Sequence, residues 1–124
     1  MAQQTIQHRM AGNVVILALK GRLTIGETSV TLRETVRQLL ADGHRKILID
    51  LGDVGYVDSS GLGELVSAFA SAKRQDAVLK LVNVTQGVLG LLQMTKLVTV
   101  FETFEDEGEA VRSFEPKLIA SGSS

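Results

Sequence analysis

The chain has 124 residues, 13 basic and 14 acidic side chains, a formal net charge of −1 and no cysteine. This length predicts one domain spanning residues 1–124 with a single core, and the lack of cysteine in the sequence excludes disulfides, cysteine-based zinc sites and thiol catalysis. The balanced charge gives no indication of nucleic-acid binding, and no apolar run approaches the ~20 residues that span a bilayer, so we expect a soluble, cytoplasmic protein without direct contact to nucleic acid or membrane.

A β-hairpin and a helix are predicted in the first third of the chain. Residues 5–10 alternate between two faces, which is typical of a half-exposed strand, and residues 14–20 predict a second, more apolar strand. The turn Ala11-Gly12-Asn13 between them favours a hairpin. After a loop at residues 21–26, a helix follows with a threonine cap at position 28 or 31; its apolar stripe consists of Leu32, Val36, Leu39 and Leu40.

The rest of the chain alternates between strands and helices. Strands are predicted at residues 47–51, 78–82 and 98–101, and helices at residues 60–73, 86–94 and from about Asp106 to Pro116, with a flexible tail at 119–124. This alternation predicts parallel strands joined by right-handed crossovers. The predicted fold class is α/β: an N-terminal antiparallel hairpin and parallel βαβ strands form a mixed sheet that packs against about four helices, with a core from about residue 5 to 117.

The segment from Asp50 to Gly63 is where we expect the function to lie. It is predicted as a loop that leads from a buried strand into a helix and contains Asp58, Ser59 and Ser60. Serine and aspartate side chains cap helix N-termini, so the simplest interpretation is that the serines act as caps. A phosphate on one of them would face the positive end of the helix dipole. Both interpretations can hold together, because one serine can cap while the other faces solvent.

Motifs for enzyme chemistry are broken in this sequence. Val66 stands where a dinucleotide-binding fingerprint needs its third glycine. Neither Ser59 nor Ser60 has a glycine two residues before it, as the nucleophile elbow of a hydrolase requires. We therefore expect a protein that is not an enzyme and that uses no cofactor and no metal.

Four apolar residues outside the regular stripes need an interpretation. Met10 and Met94 are expected to be packing residues. Tyr56 and Val57 lie in the predicted loop beside the serine pair, where apolar residues either fill the core or form a contact rim for a partner. The sequence leaves these two alternatives open.

The segment Tyr56-Val57-Asp58-Ser59-Ser60-Gly61-Leu62-Gly63 resembles the signature of the anti-sigma factor antagonists, the small stand-alone bacterial members of the STAS family. Residues 91–97 resemble a later family segment, and the similarity covers roughly residues 6–114. The resemblance implies the STAS fold, with the same mixed sheet, and phosphorylation of Ser59, the first serine after the aspartate. It also implies two partners: an anti-sigma factor with serine kinase activity, bound when Ser59 is unphosphorylated, and a phosphatase that resets Ser59. Capture of the anti-sigma factor would free a sigma factor and raise transcription.

The resemblance further implies a partner-binding switch around Ser59, made of Tyr56, Val57, Asp58, Ser60, Gly61, Gly63 and Thr24. Asp58 would position the serine hydroxyl or add negative charge, and Gly61 and Gly63 would let the backbone of a partner approach closely. Thr24 stands where family members often carry an aspartate, which changes the charge expected near the serine. The alternative function is a constitutive STAS scaffold or complex subunit in which Ser59 has no switching role.

Overall fold

A five-stranded mixed sheet forms the centre of the molecule. The computed structural model describes residues 5–23 and 27–115. The strands lie side by side in chain order; the first pair is antiparallel and the other pairs are parallel. Their bounds are β1 Thr5–Ala11, β2 Val14–Leu23, β3 Lys46–Val57, β4 Val78–Val82 and β5 Thr103–Phe104. The predicted fold class is confirmed.

Helices cover both faces of this sheet. They are α1 Glu27–Ala41, α2 Ser59–Arg74, α3 Gln86–Met94 and α4 Glu107–Arg112, with a short 3-10 helix at Leu97–Thr99. Apolar residues of α1, α2 and α3 share one buried cluster with Val15 and Leu17 of β2. Val14 and Ile16 of the same strand pack on the opposite face with α4. Because β2 is buried on both faces, its sequence is a continuous apolar run rather than an alternating one.

The third strand is longer than predicted. We expected it to end at Leu51, but β3 continues to Val57, so most of the predicted loop is strand. The extension is possible because β2 runs beside it as far as Leu23, with two register shifts that keep the strands paired. Gly52 and Gly55 are usual turn residues, and here they lie at the two register shifts, while the β3 residues that follow each glycine pair with β2 again.

The predicted strand at residues 98–101 is wrong. A 3-10 helix occupies Leu97–Thr99, and the last strand is the short β5 further along the chain. Lys96, between α3 and the 3-10 helix, adopts the left-handed conformation, with φ of 64°. Val98 and Val100 are exposed, while Phe101 is buried against Phe69, with their ring centroids 5.3 Å apart. The β-branched residues therefore identified this segment as apolar but did not determine its backbone conformation.

Two smaller expectations concern the ends of elements. The predicted threonine cap of α1 is wrong, because the helix begins at Glu27, before both candidates. The predicted start near Asp106 is confirmed, since its side chain caps α4 by accepting from the Glu109 N–H at 2.8 Å.

Thr24, Pro116 and the tail at residues 119–124 lie outside the described residues. Among the helices that the structure describes, none has both the length and the apolar character needed to cross a membrane.

Candidate functional site

The start of helix α2 is capped by Asp58. The Gly61 N–H donates to Asp58 Oδ1 at 2.8 Å, and the Leu62 N–H donates to the Asp58 carbonyl at 2.9 Å. The interpretation of the serines as caps is therefore wrong: Ser59 and Ser60 are the first two residues of the helix. Aspartate is as good a cap as serine, so composition alone did not distinguish three adjacent candidates.

Ser59 is therefore not needed as a cap, and it makes no other structural contact through its hydroxyl in the described part of the chain. Its side chain is exposed, whereas that of Ser60 is half-buried. The Ser59 hydroxyl forms no hydrogen bond with any residue that the structure describes. Backbone N–H groups in the first turn of a helix have no intrahelical acceptor. An accessible hydroxyl thus stands at the positive end of the 16-residue helix α2.

Leu23, the last residue of β2, fixes this junction. Its carbonyl accepts a hydrogen bond from the Asp58 N–H at 3.2 Å. A Cβ atom at Gly61 would lie 2.0 Å from the same carbonyl oxygen. Gly61 is therefore required for packing within the chain, and its role in the approach of a partner stays a prediction. Gly63 differs: it is exposed, and no described atom lies within 4 Å of where its Cβ would be.

Tyr56 and Val57 resolve the alternatives in opposite ways. Successive side chains of a strand point to opposite faces. Both residues belong to the extended β3, so their side chains point to opposite faces. Val57 is 7% exposed and belongs to the main core cluster. Tyr56 is 50% exposed, and the Arg22 guanidinium lies 5.2 Å from its ring centroid. Val57 is thus a core residue, while Tyr56 is available for contact with a partner.

An open groove runs beside Ser59. It lies between the end of β3, the start of α2 and helix α3, and we call it the Ser59 groove. Its volume is about 670 Å³. Its walls include Tyr56, Ser59, Leu91, Met94 and the glycines at positions 55, 87 and 90. Most of this lining is apolar or lacks a side chain, so the groove presents a mainly hydrophobic surface next to the accessible Ser59 hydroxyl.

The contribution of α3 was missed in the sequence. Met94 was expected to pack, but it is 83% exposed at the end of α3, and the same expectation is wrong for Met10, which is 49% exposed. Gly87 and Gly90 lie three residues apart in a helix, and no described atom lies within 4 Å of the Cβ position of either. Glycines inside a predicted helix were the available indication that this face does not only pack in the core.

Helix α2 is also tied to α1 by an ion pair. Arg33 donates from Nε and Nη2 to the two carboxylate oxygens of Glu64, both at 3.0 Å. These hydrogen bonds and the negative charge of Glu64 raise the pKa of Arg33 above its ordinary value. The planar fork of the guanidinium gives this contact between the two helices a defined geometry.

Comparison with known proteins agrees with this arrangement. The STAS domain family model matches residues 5–110. The anti-sigma-B factor antagonist of Bacillus subtilis is 32% identical over 90 residues, which cover 73% of this chain and 81% of that protein. The chain therefore belongs to the family of STAS-domain anti-sigma factor antagonists.

Solved structures show the same fold. The crystal structure of a proposed anti-sigma factor antagonist from Thermotoga maritima has a TM-score of 0.81 at 27% identity, covering 87% of this chain and 92% of that one. The Bacillus cell fate determinant SpoIIAA in its phosphorylated form has a TM-score of 0.72 at 18% identity, covering 90% of this chain and all of that one. At that identity the second likeness shows the fold alone.

Proposed function

We propose that this protein is an anti-sigma factor antagonist that is switched by phosphorylation of Ser59. Unphosphorylated, it binds an anti-sigma factor with serine kinase activity through the Ser59 groove and Tyr56, and so frees a sigma factor for transcription. Phosphorylation releases the partner, and a phosphatase restores binding. The protein acts in the cytoplasm as a substrate of the kinase and is not itself an enzyme. The observation that carries this proposal is the exposed Ser59 hydroxyl at the edge of an apolar groove, which has no hydrogen bond to any of the described residues.

Physical reasons support a switch at this position. A phosphate adds about −1.5 to −2 charges at pH 7. The host helix tolerates it, because the first-turn N–H groups and the dipole favour an anion. A partner surface that covers the groove would desolvate the same phosphate, and a cost of even ~3 kcal/mol weakens affinity more than a hundredfold. Binding can therefore be abolished without a change of fold.

The geometry also favours one serine over its neighbour. Ser60 is half-buried and would have to move its side chain outward to enter a kinase active site. Ser59 needs no such movement. Asp58 holds the turn that presents Ser59, since its carboxylate is bound to the Gly61 N–H. Its role in this proposal is to position the acceptor serine.

A capture experiment in lysate of the source organism tests the proposal. Wild type, Ser59→Ala and Ser59→Asp serve as baits, and mass spectrometry identifies the bound proteins. We expect a kinase-like anti-sigma factor with wild type and Ser59→Ala, and its loss with Ser59→Asp. Ser60→Asp is the matched control, because it introduces the same negative charge at the neighbouring serine. Equal capture by all baits would instead support the alternative of a constitutive scaffold.

A further inference from the structure

Met94 is the most exposed large apolar side chain among the residues that the structure describes. It is the last residue of α3, it is 83% exposed, and it lines the Ser59 groove with Tyr56 and Leu91. An accessible thioether reacts with peroxides, because nothing shields the sulfur lone pairs from the oxidant. The methionine thus places an oxidisable atom on the same surface as the phosphorylatable hydroxyl.

We propose that Met94 is a redox modification site: oxidation by a peroxide to methionine sulfoxide weakens binding of the anti-sigma factor. This inference rests on the proposed function, since it requires the groove to be the binding surface. In the reaction, the sulfur lone pair attacks one oxygen of hydrogen peroxide. An S–O bond forms as the O–O bond breaks, sulfur loses two electrons, and the second oxygen leaves as water after a proton transfer.

The chemistry of the groove explains the effect on binding. Leu91 and the glycines at positions 87 and 90 line the same groove as Met94, so a partner that covers Met94 meets mainly apolar surface. A sulfoxide oxygen in that interface needs a hydrogen-bond donor. The neighbouring Thr95 hydroxyl is already engaged with the carbonyls of Leu91 and Leu92, at 2.8 and 3.2 Å. The other side-chain donors of the groove lining are Tyr56, Ser59 and Gln86. A buried sulfoxide that pairs with none of them reduces affinity by about tenfold or more.

The first experiment tests the modification without any partner. Purified protein is treated with hydrogen peroxide, and peptide mass spectrometry follows the gain of one oxygen at each methionine. Met10 provides the internal standard, since it is 49% exposed on β1 and lies outside the groove. We expect Met94 to be oxidised at least as fast as Met10. An unmodified Met94 under conditions that oxidise Met10 would overturn the inference.

The second experiment tests the consequence, with the anti-sigma factor recovered by the Ser59→Ala bait as the probe. Peroxide treatment should weaken binding of wild type and of Met10→Leu about tenfold or more, and leave Met94→Leu unchanged. Methionine sulfoxide reductase should restore the treated wild type. Equal binding of treated and untreated wild type would overturn the inference while the phosphoswitch stands. Failure of the untreated protein to capture any anti-sigma factor would count against the proposed function itself, and the binding effect would fall with it.

Discussion

The Lys80 ammonium donates hydrogen bonds to both the carbonyl and the hydroxyl oxygen of Ser113, each at 3.0 Å. Lys80 lies on β4 and is 7% exposed, while Ser113 directly follows α4. The rings of Phe104 and Phe114 lie 5.6 and 4.8 Å from the same nitrogen, and Glu102 forms an ion pair with it at 3.2 Å. One buried cation therefore joins the sheet to the helix that covers its second face.

Replacing this lysine should loosen α4. We expect Lys80→Met to lower the free energy of unfolding by about 1–3 kcal/mol, because the Ser113 carbonyl loses its donor in a partly buried setting. Urea denaturation followed by circular dichroism measures the change. Lys73→Met, on an exposed position of α2, is the control and should stay within about 0.5 kcal/mol of wild type. Equal stability of the two variants would show that the Lys80 contacts are dispensable.

The glycines at positions 61 and 63 should respond oppositely to the same substitution. Gly61→Ala places a methyl group 2.0 Å from the Leu23 carbonyl oxygen, so we expect destabilisation of about 3 kcal/mol or more, or failure to fold. Gly63→Ala fills open space in a helix and should stabilise by about 0.5–1 kcal/mol. Thermal unfolding distinguishes the two variants. A tolerated alanine at position 61 would mean that Leu23 can move away from α2.

Asp58 should act through its hydrogen bond rather than through its charge. Asp58→Ala removes the acceptor for the Gly61 N–H and should cost about 1 kcal/mol, whereas Asp58→Asn keeps an oxygen in that place and should be nearly neutral. Chemical denaturation of both variants checks this. If asparagine were as damaging as alanine, the negative charge at the helix N-terminus would be the dominant contribution.

Tyr56 and Val57 should separate binding from stability. Tyr56→Ala removes an exposed aromatic ring, so we expect little change in unfolding but about a tenfold or greater loss in affinity for the captured anti-sigma factor. Val57→Ala removes buried methyl groups and should cost about 1–3 kcal/mol in stability. Calorimetric titration and thermal unfolding of both proteins provide the two measurements. An unchanged affinity for Tyr56→Ala would remove this ring from the proposed interface.

The sequence predicted the architecture well because the helices and the inner strands have strong apolar patterns. The β2 run and the stripes of α1 and α2 are unambiguous, and they place the functional junction after β3. The prediction from sequence failed where contacts with a segment distant in the chain determine the backbone conformation. β3 stays extended through two glycines because β2 pairs with it, and Val98 is exposed although its residue type favours strands.

The candidate site was predicted from one local motif, so the prediction did not include the residues that α3 contributes. Ser59, Asp58 and Tyr56 are adjacent in sequence, so one motif reveals them together. Met94 reaches the same groove from a helix that follows the next strand, and only the tertiary fold brings it there. The choice of Asp58 as the cap depended on the position at which the helix begins, which local patterns do not define to one residue.

The groove itself follows from a difference in strand length. β3 has 12 residues and β4 has 5, and the two pair only from Lys46 to Asp50 on the β3 side. Beyond Asp50, β3 is paired only with β2 among the strands of residues 5–23 and 27–115. The vacant space is bounded by α3 and forms the Ser59 groove. Its shape is thus set by the point at which the chain leaves β4 for α3, so changes in that connection can reshape the groove while the core and Ser59 remain as they are.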